Sequence, residues 1–237
     1  MRFILFLSCV IVSFAVMPNP AQTENAPRTQ AKILAIGDSL MAWHSVSAAS
    51  IAHVVGKELN EPVINRATGG AKIIHALPIS GALGLKIAQQ FSSTVRDNKD
   101  WVIMTGGGND LVLGCGCNNC DRRMRRMIDP TGQAGDIPKL IAKIRKTGAR
   151  VIYIGYLRSP GVGSVIDACL PAGQAFEARL AQMAARDDGV FFVSLEGMTK
   201  HGDRSMHGVD MVHPSLKASR AIGKRVAQLI RKVDPSR

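Results

Sequence analysis

Five short apolar runs, separated by stretches with helical spacing, leave this chain few folds to choose from. They are ILAI at 33–36, PVINRA at 62–67, WVIMTGG at 101–107, RVIYIGY at 150–156 and VFFVSL at 190–195. The run at 101–107 is apolar on both sides, which predicts the central strand of a sheet. Helices are predicted over 41–59, 83–96, 136–147, 171–187 and 215–233. The first carries an apolar stripe of Val46, Ile51, Val54, Val55 and Leu59. The third opens on Asp136-Ile137-Pro138, good chemistry for a helix start. The last gathers Leu216, Ile222, Val226, Leu229, Ile230 and Val233 on one side. Strands alternating with helices imply an α/β class: a three-layer α/β/α sandwich around a five-stranded, mostly parallel sheet. The 237 residues suit one such domain, large enough to fold without disulfides. One irregular stretch, 111–135, follows the central strand and holds three cysteines. A loop of that length is functional or disordered unless something cross-links it.

The amino terminus has another character. Met1-Arg2 leads into FILFLSCVIVSFAV at 3–16, shorter than the roughly 20 residues that span a bilayer. Small residues at Ser13 and Ala15, and a competing site at Ala21, suit cleavage of an export signal. An uncleaved anchor is the alternative. Lipid attachment at Cys9 is disfavoured, because little apolar sequence precedes it. The organisation is therefore a signal with the start of a lead over 1–21, a polar lead over 22–31, and one domain over 32–237 with a Cys-rich insert at 111–135. Export implies a periplasmic or secreted protein.

The net charge is +12, which favours weak association with anionic membrane or wall surfaces. Two Trp, two Tyr and no helix-turn-helix or RNA-binding pattern argue against nucleic acid. The basic run Arg122-Arg123-Met124-Arg125-Arg126 reads first as a solvated face and second as an attractor of anionic substrate or membrane. Beyond Cys9 there remain Cys115, Cys117, Cys120 and Cys169. In an exported protein, four cysteines suggest two disulfides, with three pairings open. The Cys-x-Cys-x-x-Cys spacing also suits a metal, but no His lies in the cluster and Cys169 is far off.

In an open α/β sheet, ligands bind beyond the carboxyl ends of the strands. The residues there are Gly37-Asp38-Ser39, then Asn65 to Gly70, then Gly107-Gly108-Asn109-Asp110, and late in the chain Asp210 and His213. Acyl transfer needs these types: a hydroxyl, a neutral imidazole to take its proton, a carboxylate to orient the imidazole, and N–H donors for an oxyanion. Asp38 and Ser39 are also good helix caps, so the first stretch alone decides nothing. Other catalytic patterns are absent: Gly-x-Ser-x-Gly, the phosphate loop, Gly-x-Gly-x-x-Gly and His-Glu-x-x-His.

These segments resemble, in order, the four signature blocks of the SGNH (GDSL) hydrolase superfamily. Gly37-Asp38-Ser39-Leu40 resembles the first, Gly107-Gly108-Asn109-Asp110 the Gly-x-Asn-Asp block, and Asp210-Met211-Val212-His213 the Asp-x-x-His block. The glycine block is weaker; Asn65 five positions ahead favours Gly70, with Gly69 the alternative. The resemblance implies a flavodoxin-like fold and an ester hydrolase working through an acyl-serine, with no cofactor and no metal. It implies Ser39 as nucleophile, His213 as general base and then acid, and Asp210 as the orienting carboxylate. The backbone N–H groups of Ser39 and Gly70 and the Asn109 amide would form the oxyanion hole. Asp38 would be a turn and cap residue. His201 and His207, outside the block, would be surface loop residues. The substrate would be a small-molecule or polymer ester, either an acetylated carbohydrate or a lipid or short-chain ester, turned over by a monomer. A non-catalytic, cysteine-rich envelope binding protein on the same fold is the alternative. In the family's strand order Cys169 would share a sheet edge with the insert, so a disulfide between them would pin the insert as one wall of the cleft.

Overall fold

The structure is a computed structural model that describes residues 30–92 and 97–237. The expected signal segment and most of the lead lie outside the described residues. Strands β1 (Ile33–Ile36), β2 (Val63–Asn65), β3 (Trp101–Met104), β4 (Arg150–Ile154) and β5 (Val190–Val193) form one sheet in the order β2-β1-β3-β4-β5. Every pairing is parallel. As the apolar run predicted, β3 is central, and all four of its residues are buried.

The two-residue period of the strands sorts their side chains between two helical layers. Ile33, Ala35, Trp101, Ile103, Ile152 and Ile154 face one layer, built on α2 (Ile51–Leu59) and α8 (Leu216–Val233). Leu34, Ile36, Val102, Met104, Val151 and Tyr153 face the other, built on α5 (Asp121–Met127), α6 (Asp136–Arg145) and α7 (Leu170–Ala184). Each fully buried large side chain adds about 1.5–3 kcal/mol of transfer free energy. On α8 the buried stripe is Ala218, Ser219, Ile222, Gly223, Val226, Ala227 and Ile230; the expected Leu216 is exposed, because it sits beside the Ser215 cap.

Three helical expectations are corrected. The helix predicted over 41–59 is two: α1 (Ser39–Ala42) and α2, which restarts at the Ser50 cap. Between them the backbone turns left-handed at His44 and Ala48. His44 Nε2 donates there to the carbonyl of Pro214 (3.0 Å), a tertiary bond that outweighs local helical preference. The helix predicted over 83–96 is shorter. A helical turn at Pro78–Ser80 runs into a wider turn at Gly81–Leu85, broken by Gly84 at φ +104°, before α3 (Ile87–Gln90). Its end at 93–96 lies outside the described residues. The stretch expected to be irregular holds α4 (Gly108–Cys115) and α5. Two disulfides, Cys115–Cys120 and Cys117–Cys169, make that order understandable. The first closes the turn between α4 and α5; the second ties that turn to the start of α7. The four cysteines are thus paired with each other, and no metal-binding cluster of His, Cys, Asp or Glu occurs among the described residues. No helix of the described residues is long and apolar enough to cross a membrane.

Candidate active site

Ser39 stands where β1 leaves the sheet. The turn before it demands glycine: Gly37 has φ +147°, and a Cβ there would lie 2.2 Å from Thr105 Oγ1. The close approach joins the ends of β1 and β3. A buried amide holds it. Gln90 Oε1 accepts from Gly37 N–H (2.6 Å), and Gln90 Nε2 donates to the carbonyls of Gly37 (2.8 Å) and Gly84 (2.7 Å). Gln90→Ala would strand the buried N–H of Gly37, while the Gly37 carbonyl keeps the Thr68 N–H (3.1 Å). A loss of about 1–3 kcal/mol is expected, read as a lower urea midpoint at constant slope; an unshifted midpoint would contradict the assignment.

Asp38 caps α1, its Oδ1 accepting from Leu40 N–H (3.2 Å) and from Thr105 Oγ1 (2.8 Å). The Tyr156 hydroxyl donates to Asp38 Oδ2 and accepts from Gly108 N–H (2.8 Å). Burial pushes the Asp38 carboxyl up, against the pull of the Tyr156 and Thr105 hydrogen bonds. Burial also holds the Tyr156 phenol well above its ordinary value, so it remains a donor. Asp38 is therefore a brace between the ends of β1, β3 and β4, in keeping with its expected structural role.

Asp210 and His213 face each other across a tight turn. A carboxylate can only accept, so the proton of this contact sits on the ring: His213 Nδ1–H donates to Asp210 Oδ2 (2.6 Å). Asp210 Oδ1 accepts from the backbone N–H groups of Val212 and His213, each at 3.0 Å. Burial pushes the Asp210 carboxyl up, but these bonds outweigh it and bring it to about 2. The His213 ring lies flat on Trp43, centroids 3.8 Å apart and planes 7° apart. Carboxylate and indole together fix the imidazole in place. Ser39 and His213 line the same pocket, with no hydrogen bond between Ser39 Oγ and the ring. Such bonds are often long before substrate binds.

Asn109 is at the start of α4 and lines that pocket too. One N–H of its amide donates to the Ala71 carbonyl (3.0 Å), leaving the second free. Gly70, just before Ala71, is exposed at φ +74°, a left-handed conformation natural to glycine. It does not line the pocket itself but belongs to the turn that Asn109 holds. The same turn is anchored by Asp110, whose buried carboxylate accepts from Ile73 N–H (2.8 Å) and Ile74 N–H (2.9 Å). The first N–H groups of any helix lack intrahelical partners, so Ser39 N–H opens α1 unpaired.

The pocket has a volume of about 320 Å³. One side is α4; the other is the segment from β4 to α7, drawn against α4 by Cys117–Cys169. Behind that segment Arg158 Nη2 donates to Glu177 Oε2 (2.9 Å), and Glu177 Oε1 accepts from Tyr156 N–H (2.9 Å). Of the two other histidines weighed as bases, His201 is exposed as expected, but His207 is buried. Burial pushes its imidazole down, against the fields of Asp210 and Asp203. It backs the last loop through its bridge to Pro214.

Sequence reasoning missed Trp43, Gln90, Thr105, Tyr156 and the Arg158–Glu177 pair. Two left a trace. Trp43 falls four residues after Ser39, on the same helical face. Thr105 is the first polar residue after a wholly apolar strand.

No curated protein matches the chain in sequence. Solved structures do match in shape. TesA superposes with a TM-score of 0.57 at 20% identity, over 86% of this chain and 99% of TesA. A family two carbohydrate esterase from Clostridium thermocellum, solved with cellohexaose, gives 0.58 at 18% identity, over 89% of this chain and 66% of that one. An acetyl xylan esterase, Est2A, from Butyrivibrio proteoclasticus gives 0.57 at 16% identity, over 90% and 66%. At such identities these likenesses speak to the fold. The sequence itself matches the model of the GDSL-like lipase/acylhydrolase family across residues 35–221. With the serine turn, the Asn-Asp turn and the Asp-His turn all inside that span, the chain belongs to the GDSL-like lipase/acylhydrolase family and is a hydrolase of ester bonds.

Proposed function

We propose that the protein cleaves carboxylic esters through an acyl-serine intermediate, with Ser39, His213 and Asp210 as its triad. The observation that carries this is the 2.6 Å bond from His213 Nδ1 to Asp210 Oδ2. It fixes the tautomer whose Nε2 is unprotonated, and it does so in the pocket that Ser39 lines.

Ser39 Oγ attacks the ester carbonyl carbon as its proton passes to His213 Nε2. The charge moves to the carbonyl oxygen, where Ser39 N–H, Gly70 N–H and the free N–H of Asn109 stabilise it. Collapse breaks the bond to the alcohol oxygen, which takes the proton from His213 and departs. Water then attacks the acyl-serine with His213 again as base. The carboxylic acid leaves and Ser39 recovers its proton. Asp210 stays ionised throughout and stabilises the imidazolium. None of these steps calls on a cofactor or a metal.

The disulfides support work in an oxidising compartment, in line with the signal expected at 1–21. Hydrolysis of p-nitrophenyl esters, with covalent labelling of Ser39 by a fluorophosphonate, tests the reading. Absence of both would turn it toward a binding protein on the same fold.

The pH profile offers a separate check. Asp210, at about 2, is ionised far below working pH. The acid limb of kcat/KM should therefore be a single-proton step to which Asp210 contributes nothing. A second proton lost between about pH 3 and 5 would show that Asp210 is not held as described.

A further inference from the structure

The pocket beside Ser39 is greasy. Val112, Leu113, Leu157, Val165, Ile166 and Leu170 make up much of its wall. Several of its polar members beyond the reacting groups are engaged by other protein groups. Arg158 is paired through Nη2 with Glu177 (2.9 Å), and its buried Nε lacks a partner among the described residues. Asp167 accepts from the Ser159 hydroxyl and from Ser164 N–H (3.1 Å). A sugar ring presents several hydroxyls that each need a partner when water is removed, and losing those partners is costly. An alkyl chain needs none and gains from every methylene buried.

A second observation points the same way. Among the described residues, nine large apolar side chains are exposed. All nine lie between the carboxyl end of a strand and the helix behind it, or within that helix's first two turns. Val46 follows β1, Leu77 β2, Leu113 β3, Val165 β4 and Val209 β5. Among the described residues, the connections into the amino ends of the strands carry none. Scattered apolar residues on a surface need no explanation, but their segregation to the edge that holds Ser39 does.

We infer that the pocket holds the acyl chain of a lipid-type ester of medium length, and that acetylated sugar is not the preferred substrate. This rests on the hydrolase reading above. A cavity of about 320 Å³ has room for an acyl chain well beyond acetyl. The chain lies between α4 and the β4–α7 segment, and Cys117–Cys169 sets the distance between those walls. Val112 and Ile166 are half-buried on opposite walls, so they set the usable length.

The test is a series of p-nitrophenyl esters from acetate to laurate, run beside acetylated xylan. Each added methylene should raise kcat/KM about two- to fourfold until the pocket is full. The octanoate should exceed the acetate by at least about fiftyfold, and xylan should release little acetate. Val112→Trp and Ile166→Trp, on separate walls, should each move the optimum to shorter chains. Should either variant fold poorly, the other and the wild-type series still decide. A wild type that labels with fluorophosphonate at Ser39 yet prefers acetate, or is indifferent to length, overturns the inference and leaves the hydrolase reading standing. So do variants that slow all chain lengths equally. No turnover and no labelling would overturn both.

Discussion

Ser39→Ala is expected to lower kcat for ester hydrolysis by at least about 10⁴-fold while leaving the fold intact. Ser39 is half-buried, and its side chain makes no hydrogen bond that the fold depends on. The turn is held instead through Gly37, Asp38 and Gln90. The structural loss should thus be within about 0.5 kcal/mol, as for substitutions that break no named interaction. The loss of rate has a separate origin: without Oγ there is no covalent intermediate for His213 to assist. The residual rate would come from the oxyanion donors and binding alone. Burst kinetics, fluorophosphonate labelling and a thermal melt on the same sample check this. A variant that keeps more than about a tenth of wild-type kcat would remove Ser39 from the reaction.

Asp210→Asn should cost about 10³- to 10⁴-fold in kcat, for a subtler reason. The substituted residue keeps an oxygen to accept from Val212 N–H and His213 N–H, so the turn survives. The Asp210 Oδ2 position, however, becomes an NH₂ group. It then donates to His213 Nδ1 where the carboxylate accepted. The ring's proton moves to Nε2, the nitrogen that must be bare to act as base. The effect should fall on kcat, with KM for a short ester little changed. The other carboxylate near Ser39 cannot take over. Asp38 is buried and both its oxygens are committed to Thr105, Leu40 and Tyr156. Near-wild-type kcat in the variant would show that the imidazole is oriented by other means, with Trp43 the first suspect.

The strands were legible because a buried parallel strand must be apolar throughout, and a run such as Trp101 to Met104 can serve little else. The residues proposed to react were singled out because acyl transfer needs particular residue types at strand ends; the structure brings Asp210 and His213 into contact and sets Ser39 and Asn109 in the same pocket as His213. What stayed hidden depends on partners remote in the chain. Nothing near Trp43 says that the helix stops there. The reason is the loop of His213 and Pro214, about 170 positions on. Gln90 and Thr105 are common residues that acquire meaning only when β1 and β3 meet. The insert was read as irregular because its sequence, rich in Gly, Cys and Arg, has little helical character. Its order follows disulfide pairings that spacing alone leaves ambiguous. Gly70 is an intermediate case: the block points to it and the Asn109–Ala71 bond holds its turn, while its own N–H meets its test only in catalysis.

The stacking of Trp43 on His213 has an optical side. The chain has two tryptophans. Trp101 is sealed within the sheet, while Trp43 rests against the imidazole at 3.8 Å. An indole in van der Waals contact with an imidazole loses emission when that ring gains a proton, because the cation accepts an electron from the excited state. The two indoles of this protein thus report on different places, Trp101 on the packed interior and Trp43 on the ring proposed as the base.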